Sequence, residues 1–135
     1  MLEENKRIVR RWIDEMCGKR NLAVGDEIFA EDMVDHNPVA KQAPGLEGQK
    51  QVLRELWAAF PDFHSEAEGI VAEGDQVAVR WIATGTHRNE YCGIAPTGKR
   101  MIYRGIDVVR LAGGKIVERW GISDDLGLMQ QLGAL

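Results

Sequence analysis

The feature that most constrains the fold is a glycine pair, Gly113-Gly114, within the stretch RGIDVVRLAGGKIVERWGISDD at residues 104–125. Apolar and polar residues alternate on both sides of this pair, over residues 106–111 and 116–120. Glycine adopts the positive φ angles that tight turns between antiparallel strands require. The pattern therefore predicts a β-hairpin.

Side chains alternate between the two faces of a strand, so the hairpin places acids among apolar residues. Asp107 shares a face with Tyr103, Gly105, Val109 and Leu111. The same alternation groups Asp124 with Ile116, Glu118, Trp120 and Ile122. Such an acid is solvated at a rim, held in an ion pair, or enclosed in a pocket where desolvation raises its pKa towards values useful for proton transfer. Candidate ion-pair partners are Arg80, Arg104 and Arg110.

The rest of the chain predicts mostly helices first and strands afterwards. Helical spacing marks residues 3–17, 22–29 and 49–60, with a loop at 40–48 and an extended segment at 30–38. Strands are predicted at 64–72, 76–86 and 100–111, followed after the hairpin by a short helical tail at 125–132. Segregated helices and antiparallel strands indicate an α+β domain with helices on one face of a bent sheet, whose concave side can hold a ligand.

Composition narrows the class of protein. A chain of 135 residues fits one domain, and a net charge of -4 provides no basic surplus for binding nucleic acid. Two cysteines are too few for a disulfide framework, and no apolar run approaches the roughly 20 residues of a membrane-spanning helix. The charged N-terminus lacks the apolar core of a secretory signal. We expect a reduced, cytoplasmic protein without a membrane partner.

Several chemistries lack their sequence signatures. Neither Ser65 nor Ser123 lies in a Gly-x-Ser-x-Gly elbow. The three histidines, His36, His64 and His87, are far apart and form no metal-binding motif, and no nucleotide-binding glycine loop occurs. We therefore expect no metal and no cofactor. Proton transfer by carboxylates and histidines in an apolar cavity remains.

Polar and aromatic residues elsewhere are candidates for lining that cavity, each with a structural alternative. His36 either shuttles protons or is a strand-end histidine bonded to a neighbouring loop. Tyr103 either donates to an oxyanion or packs in the sheet. Tryptophans either flank a substrate ring or belong to the core. The candidate binding residues are His36, Asn37, Tyr103, Trp120, Trp12 and Trp57.

Five ordered motifs resemble one family. They are PGLEGQKQVLRELWAAFPDF, VAEGDQVAVRWIATGTH, GIAPTGK, GIDVVRLAGGKIVERW and DDLGLMQQLG, between about residues 10 and 133. Together they resemble the SnoaL-like polyketide cyclases, also called ester cyclases. The resemblance implies the nuclear transport factor 2-like fold, a cone formed by a strongly curved, mixed, mainly antiparallel sheet with helices closing a deep pocket. It also implies a homodimer formed through the sheet.

The resemblance implies an activity as well. Family members close a ring of a polyketide ester by intramolecular aldol condensation without a cofactor, using an acid near the end of the last strand. Asp124, four residues after Trp120, best resembles that acid, although many relatives carry an acid where Gly121 directly follows the tryptophan. Asp107 resembles the protonated oxyanion-hole aspartate of ketosteroid isomerase. Asn37 stands where that isomerase has its base and cannot accept the proton.

The leading hypothesis is therefore a cofactor-independent enzyme that binds a small apolar carbonyl compound. Asp124 would be the general acid/base, and Asp107 would donate a hydrogen bond to the developing enolate. One alternative is a non-catalytic ligand-binding or association domain, because one fold serves many functions. Another is a hydrolase or dehydratase, which a position of His36 deep beside Asp107 would favour.

Overall fold

The computed structural model covers all residues, 1–135. The helices are α1 (Leu2–Arg11), which continues into a π-helical segment (Trp12–Cys17), then α2 (Ala23–Ile28), α3 (Gly45–Ala59) and α4 (Asp125–Gln131). The strands are β1 (Phe29–Asp35), β2 (His64–Glu73), β3 (Gln76–Thr86), β4 (Arg100–Ala112) and β5 (Lys115–Ser123). Every helix and strand predicted from the sequence is present.

The largest difference lies at α3, which begins at Gly45 rather than at residue 49. The first turn contains two glycines, Gly45 and Gly48, and glycine is a poor helix former, so the sequence pattern underestimates the helix. Leu46 is buried in this turn and holds it against the core. The predicted loop at 40–48 is correspondingly shorter.

The five strands form one mixed sheet in the order β1-β5-β4-β3-β2. The edge strand β1 runs parallel to β5, whereas all other neighbouring strands are antiparallel. The hairpin predicted around Gly113-Gly114 is confirmed, with φ angles of 57° and 79° at the two glycines. The α+β prediction, with N-terminal helices packed on a curved mixed sheet, is also confirmed.

A β-bulge interrupts the hairpin where strict alternation was expected. Arg110 pairs with Glu118, yet the next residue, Leu111, pairs with Ile116, which leaves Val117 as an extra residue on β5. An extra residue exchanges the two faces of a strand beyond it. The prediction that Ile116 shares its face with the side chains two, four and six residues later is therefore wrong.

Beyond the bulge, the inward side chains of β5 are those of the odd-numbered residues. Arg119 pairs with the buried Val109, and Gly121 pairs with Asp107. Trp120 pairs instead with Val108, which shares its face of β4 with Ile106 and Arg110. Ile106 is exposed and Arg110 is partly exposed, so this is the outer face. The bulge thus carries an arginine onto the concave face and a tryptophan away from it.

The helices cover the concave face, and the π-helical segment is buried against the sheet. This segment buries Trp12, Ile13 and Met16, each at most 5% exposed. Widening the helix changes the partners of its carbonyl groups: Ile13 accepts from Ser65 Oγ at 2.8 Å, and Cys17 accepts from Trp57 Nε1 at 3.3 Å. Short π-helical turns occur often at functional sites.

The convex face of the sheet has no helix over it. It exposes three isoleucines, Ile102, Ile106 and Ile122, which are 44%, 54% and 78% accessible. None of the helices combines the length and the apolar character needed to cross a bilayer.

Candidate functional site

A cavity of about 460 Å³ lies between the concave face and the helices. Its walls are largely apolar and include Trp12, Leu53 and Phe63. Its polar groups come from the ends of β1 and the middle of the hairpin, where Asp35, Arg119 and Asp107 meet. This size and character are typical of small-molecule sites.

Four of the eight candidate site residues line this cavity: Asp107, Asn37, Tyr103 and Trp12. The other four do not: Asp124, His36, Trp120 and Trp57. For Trp120 the difference follows from the bulge in β5, and for Asp124 from the end of that strand at Ser123. His36 follows β1 and Trp57 lies on α3.

Asp124 lies outside the cavity, and the expectation that its carboxylate projects inward is wrong. The residue is exposed and forms the N-cap of α4, where its Oδ1 accepts a hydrogen bond from the Gly127 backbone N–H at 2.9 Å. An aspartate is a favourable N-cap because it satisfies a backbone donor that the helix leaves free. The role of this side chain in the structure is to begin a helix.

His36 and Trp120 also lie away from the cavity, on the convex side. Their rings are stacked, with centroids 4.8 Å apart and planes 7° from parallel. His36 Nε2 is 2.8 Å from Glu118 Oε2, so this histidine is bonded at a strand end as the structural alternative expected, but its partner lies in strand β5 rather than in a loop. The position deep beside Asp107, which would have favoured a hydrolase or dehydratase, is not observed.

Trp57 packs against both clusters of buried apolar residues rather than lining the cavity. Its indole N–H donates to the carbonyl of Cys17, at the end of the π-helical segment. The core alternative therefore describes Trp57, and the prediction of a substrate contact is wrong for this residue.

Asp107 is the most deeply buried acid in the chain, at 3% exposure. Its Oδ2 accepts a hydrogen bond from Trp81 Nε1 at 2.7 Å. Its Oδ1 lies 2.8 Å from Arg119 Nη2, which is an ion-pair distance, but the N–H is not aligned for a hydrogen bond. Asp107 Oδ1 and Arg119 Nε are thus buried without hydrogen-bond partners.

Arg119, rather than any of the three arginines predicted from the sequence, is the partner of this acid. Arg80 pairs with Glu68, and Arg110 pairs with Glu118, both away from the cavity. Arg119 was missed because simple alternation places it on the opposite face of β5, and the bulge has no local sequence signal.

A second acid, Asp35, holds the other side of the same guanidinium. Arg119 Nη1 donates to both Asp35 oxygens at 2.9 Å. Asp35 also accepts from the Asn37 backbone N–H at 2.9 Å, from Gln49 Nε2 at 2.8 Å and from Gln42 Nε2 at 3.1 Å. One arginine is therefore shared between two buried carboxylates, and no sequence pattern predicted that Asp35 would lie beside the partner of Asp107.

The two carboxylates have opposite pKa shifts. Burial raises the pKa of Asp107 above its ordinary value, and the attraction of Arg119 and the Trp81 hydrogen bond only partly oppose it. Burial also acts to raise the pKa of Asp35, but Arg119 and the donors Asn37, Gln49 and Gln42 together outweigh burial and lower it. Two acids whose environments separate their pKa values are a common arrangement for proton transfer.

Gly121 makes room for this arrangement. A Cβ atom at this position would collide with Asp107 Oδ1 and Arg119 Nη2. Because Gly121 is the cross-strand partner of Asp107, the Asp107 carboxylate fills the space that a side chain at position 121 would need.

A second polar cluster surrounds the Tyr103 hydroxyl. The phenol contacts both Ser123 Oγ, at 2.8 Å, and Asp125, while Ser123 Oγ donates to Asp125 Oδ1 at 2.8 Å. Burial and the hydrogen bond to Asp125 raise the pKa of Tyr103, so the phenol retains its proton at neutral pH. Ser123 and Asp125 line the cavity but were not among the predicted site residues.

Comparison with known proteins gives a consistent picture. A family model described as SnoaL-like polyketide cyclase matches residues 7–132. No curated protein matches the chain. IdmH from Streptomyces antibioticus, a candidate polyketide cyclase, is 34% identical, with 97% of this chain and 99% of that chain covered and a TM-score of 0.81.

Two further solved structures are similar. AclR from Streptomyces galilaeus, a candidate hydroxylase, is 28% identical over 100% of this chain and 99% of that chain, with a TM-score of 0.81. TsrD from Streptomyces laurentii is 23% identical over 98% of this chain and 97% of that chain, with a TM-score of 0.89, which shows a shared fold.

Proposed function

Because this chain belongs to the SnoaL-like polyketide cyclase family, we propose that it closes a ring in a polyketide-like ester by intramolecular aldol condensation, with Asp107 as the general acid/base. The observation that carries this proposal is the Asp107 carboxyl group, which lines the cavity, is 3% exposed and lies 2.8 Å from Arg119 Nη2, with its pKa raised by burial. A base must be strong enough to take a proton from carbon, and burial makes this carboxylate stronger.

In the proposed step, the Asp107 carboxylate takes a proton from an acidic methylene of the substrate. The resulting enolate attacks a ketone carbon of the same molecule, so that a C–C bond forms and the ketone oxygen becomes an alkoxide. The Asp107 carboxyl group then returns its proton to that alkoxide. No external oxidant or reductant is required.

Neighbouring side chains would support this step. Arg119 places a positive charge beside Asp107, which stabilises an enolate oxygen as its negative charge develops. Tyr103 holds a proton at the cavity wall and is a candidate donor to the second carbonyl. Asn37 and Trp12 would orient the substrate and exclude water.

The test compares two aspartates on opposite sides of the cavity wall. The substrate is a polyketide ester in which an acidic methylene can reach a ketone of the same chain. We expect Asp107→Asn to lower the rate of ring closure by about 10²–10⁴-fold, which is the usual contribution of general acid/base catalysis. Asp124→Asn should retain the rate, because asparagine also caps helices well. Equal rates for the parent and Asp107→Asn would refute the proposed role.

Exchange of the methylene protons in D₂O separates binding from chemistry. A protein that binds the ester without catalysing exchange or ring closure would be a non-catalytic ligand-binding domain, the alternative that the sequence left open.

Ring closure should also proceed at the same rate without oxygen. A product formed only with oxygen would favour a hydroxylase, the activity suggested for the similar AclR.

The partner expected from the family, a second copy of this chain, would dock on the convex face of the sheet. Support comes from Ile102, Ile106 and Ile122, which are exposed there with no covering element. Sedimentation analysis tests this association: Ile106→Lys should shift a dimer to a monomer. A parent chain that is monomeric at tens of micromolar concentration would exclude it.

A further inference from the structure

The two carboxylates beside Arg119 receive different contacts from its guanidinium group. Asp35 receives two aligned hydrogen bonds from Arg119 Nη1, whereas Asp107 receives only a misaligned contact from Nη2. Both N–H groups of Nη1 are committed to Asp35, whereas Nη2 meets Asp107 out of alignment and Nε has no hydrogen-bond partner. The pair with Asp35 therefore fixes the orientation of the guanidinium beside Asp107.

Asp35 is itself fixed by more than the arginine. Three further donors, from Asn37, Gln42 and Gln49, approach its two oxygens at 2.8–3.1 Å. Its side chain is only 7% exposed. Asp35 therefore has little freedom to release Arg119, and rotation of the guanidinium towards Asp107 would break aligned hydrogen bonds in a low-dielectric site.

We infer that Asp35 is a positioning residue, which fixes the orientation of Arg119 so that Asp107 receives only a single, misaligned contact from Nη2. This inference rests on the proposed function for its catalytic consequence, but the arrangement itself can be measured without any substrate. Asp35 acts through Arg119 and is not proposed to touch the reacting atoms.

The same acid also holds a segment of the cavity wall. The segment from Asn37 to Gln42 lines the cavity and is bonded to Asp35 at both of its ends. Within the segment, Val39 N–H donates to Gln42 Oε1 at 3.0 Å, and Asn37 Oδ1 accepts from Gly121 N–H at 2.9 Å. This part of the wall and the ion pair with Arg119 are thereby connected through one carboxylate.

Few other charges face this cluster. The remaining titratable groups that line the cavity are Cys17 from the π-helical segment, Tyr103 from β4 and Asp125 from α4. Burial raises the pKa of Cys17 and of Tyr103, so both are neutral near pH 7. Gln49 from α3 and Trp81 from β3 contribute only neutral donors.

The first test is a titration of carboxyl ¹³C signals in the unliganded parent protein. On lowering the pH, the Asp107 carboxyl group should take up its proton before the Asp35 carboxyl group does. In Asp35→Asn, the Asp107 titration should move to lower pH, because a like charge is removed and Arg119 becomes free to pair with Asp107. Protonation of Asp35 before Asp107 in the parent, or an unchanged Asp107 titration in Asp35→Asn, would overturn the inference.

The second test uses kinetics with a matched control. The limb of the pH–rate profile that reports Asp107 should move to lower pH in Asp35→Asn and return towards the parent position in Asp35→Glu. Gln42→Ala removes the hydrogen bond between Gln42 in the cavity wall and Asp35, but it leaves the Asp35–Arg119 pair in place. This variant should therefore change KM without moving that limb. Equal limb positions in Asp35→Asn and Gln42→Ala would contradict the inference.

These outcomes are distinguishable from failure of the proposed function. If Asp107→Asn retains full ring closure, the catalytic role is lost while the ¹³C titration still decides the role of Asp35. If Asp35→Asn does not fold, the order of protonation in the parent protein decides it.

Discussion

The two faces of strand β5 carry ion-pair clusters of similar composition in opposite surroundings. On the concave face, Arg119 joins Asp107 and Asp35, whose side chains are 4% and 7% exposed. On the convex face, Glu118 joins Arg110 and His36, with 24% of the Glu118 side chain exposed. Adjacent residues of one strand thus enter either a closed cavity or an open surface.

Their surroundings change what the same chemical groups do. Hydrogen bonds from His36 and Arg110 lower the pKa of Glu118, so the outer acid remains ionised. Burial raises the pKa of Asp107 despite its arginine, so the inner acid holds its proton to higher pH than an ordinary aspartate does. An ion pair at the surface contributes little to stability, whereas a buried one becomes costly when a partner is lost.

Removing each arginine should give the largest contrast between the faces. Arg119→Met leaves two buried carboxylates without their cation, so we expect the free energy of unfolding to fall by about 3–5 kcal/mol at pH 7. Arg110→Met, the matched change on the outer face, should have a much smaller effect. Urea unfolding of both variants measures the difference, and equal losses would contradict the contrast.

Adding a methyl group at Gly121 tests whether the pair of Asp107 and Arg119 needs the space that this glycine leaves empty. Gly121→Ala should displace Asp107 and Arg119 and lower the free energy of unfolding by about 1–3 kcal/mol, as overpacking does. Ring closure should fall with it. Gly114→Ala is not a suitable control because its φ angle is positive, whereas Ile106→Ala changes an exposed position on the outer face that does not line the cavity. A normal Asp107 titration in Gly121→Ala would refute this explanation.

The pH dependence of stability should have opposite signs on the two faces. The pKa of Asp107 is raised by folding, so its contribution to stability is present at low pH and is lost as the pH rises through its folded pKa. The pKa of Glu118 is lowered by folding, so its contribution is lost as the pH falls through its folded pKa. Thermal unfolding from pH 4 to 9 compares the parent with Asp107→Asn and with Glu118→Gln. Differences that change with pH in the same direction would contradict this assignment.

The smallest effect should come from the ring stacked on the outer face. His36→Ala removes the contact with Trp120 and the bond to Glu118, both of which are partly exposed. We expect ring closure within about twofold of the parent and a stability loss below about 1 kcal/mol, as for exposed pairs. Steady-state kinetics and thermal unfolding measure both. A large fall in kcat would return His36 to the catalytic machinery.

Much of the fold could be predicted from the sequence, because local patterns determine it. The glycine pair at 113–114 required a hairpin, helical spacing identified α1 and α3, and alternation identified β3 with its correct ends. Within the site, alternation also placed Asp107 and Tyr103 on the buried face of β4. Resemblance of ordered motifs supplied the family, which the match over residues 7–132 supports.

The site could be predicted only in part, because alternation fails at a bulge. Counting along β5 from Ile116 assigns the inward positions to Trp120 and Ile122, but the unpaired Val117 transfers them to Arg119 and Gly121. Asp124 was selected for its distance from Trp120, yet the strand has ended by then and the residue begins α4. Asp35 needed a parallel pairing of β1 with β5 to reach Arg119.

The sequence alone determined the helices, the strands, the central hairpin and the buried position of one acid, since these depend on interactions between residues close together in the chain. Only the tertiary structure decided which charges meet in the cavity, because that depends on the register of β5 between two neighbouring strands. A single extra residue in that register exchanges the faces of the strand. It thereby brings Arg119 to Asp107 and Asp35 and turns Trp120 outward, where it stacks on His36.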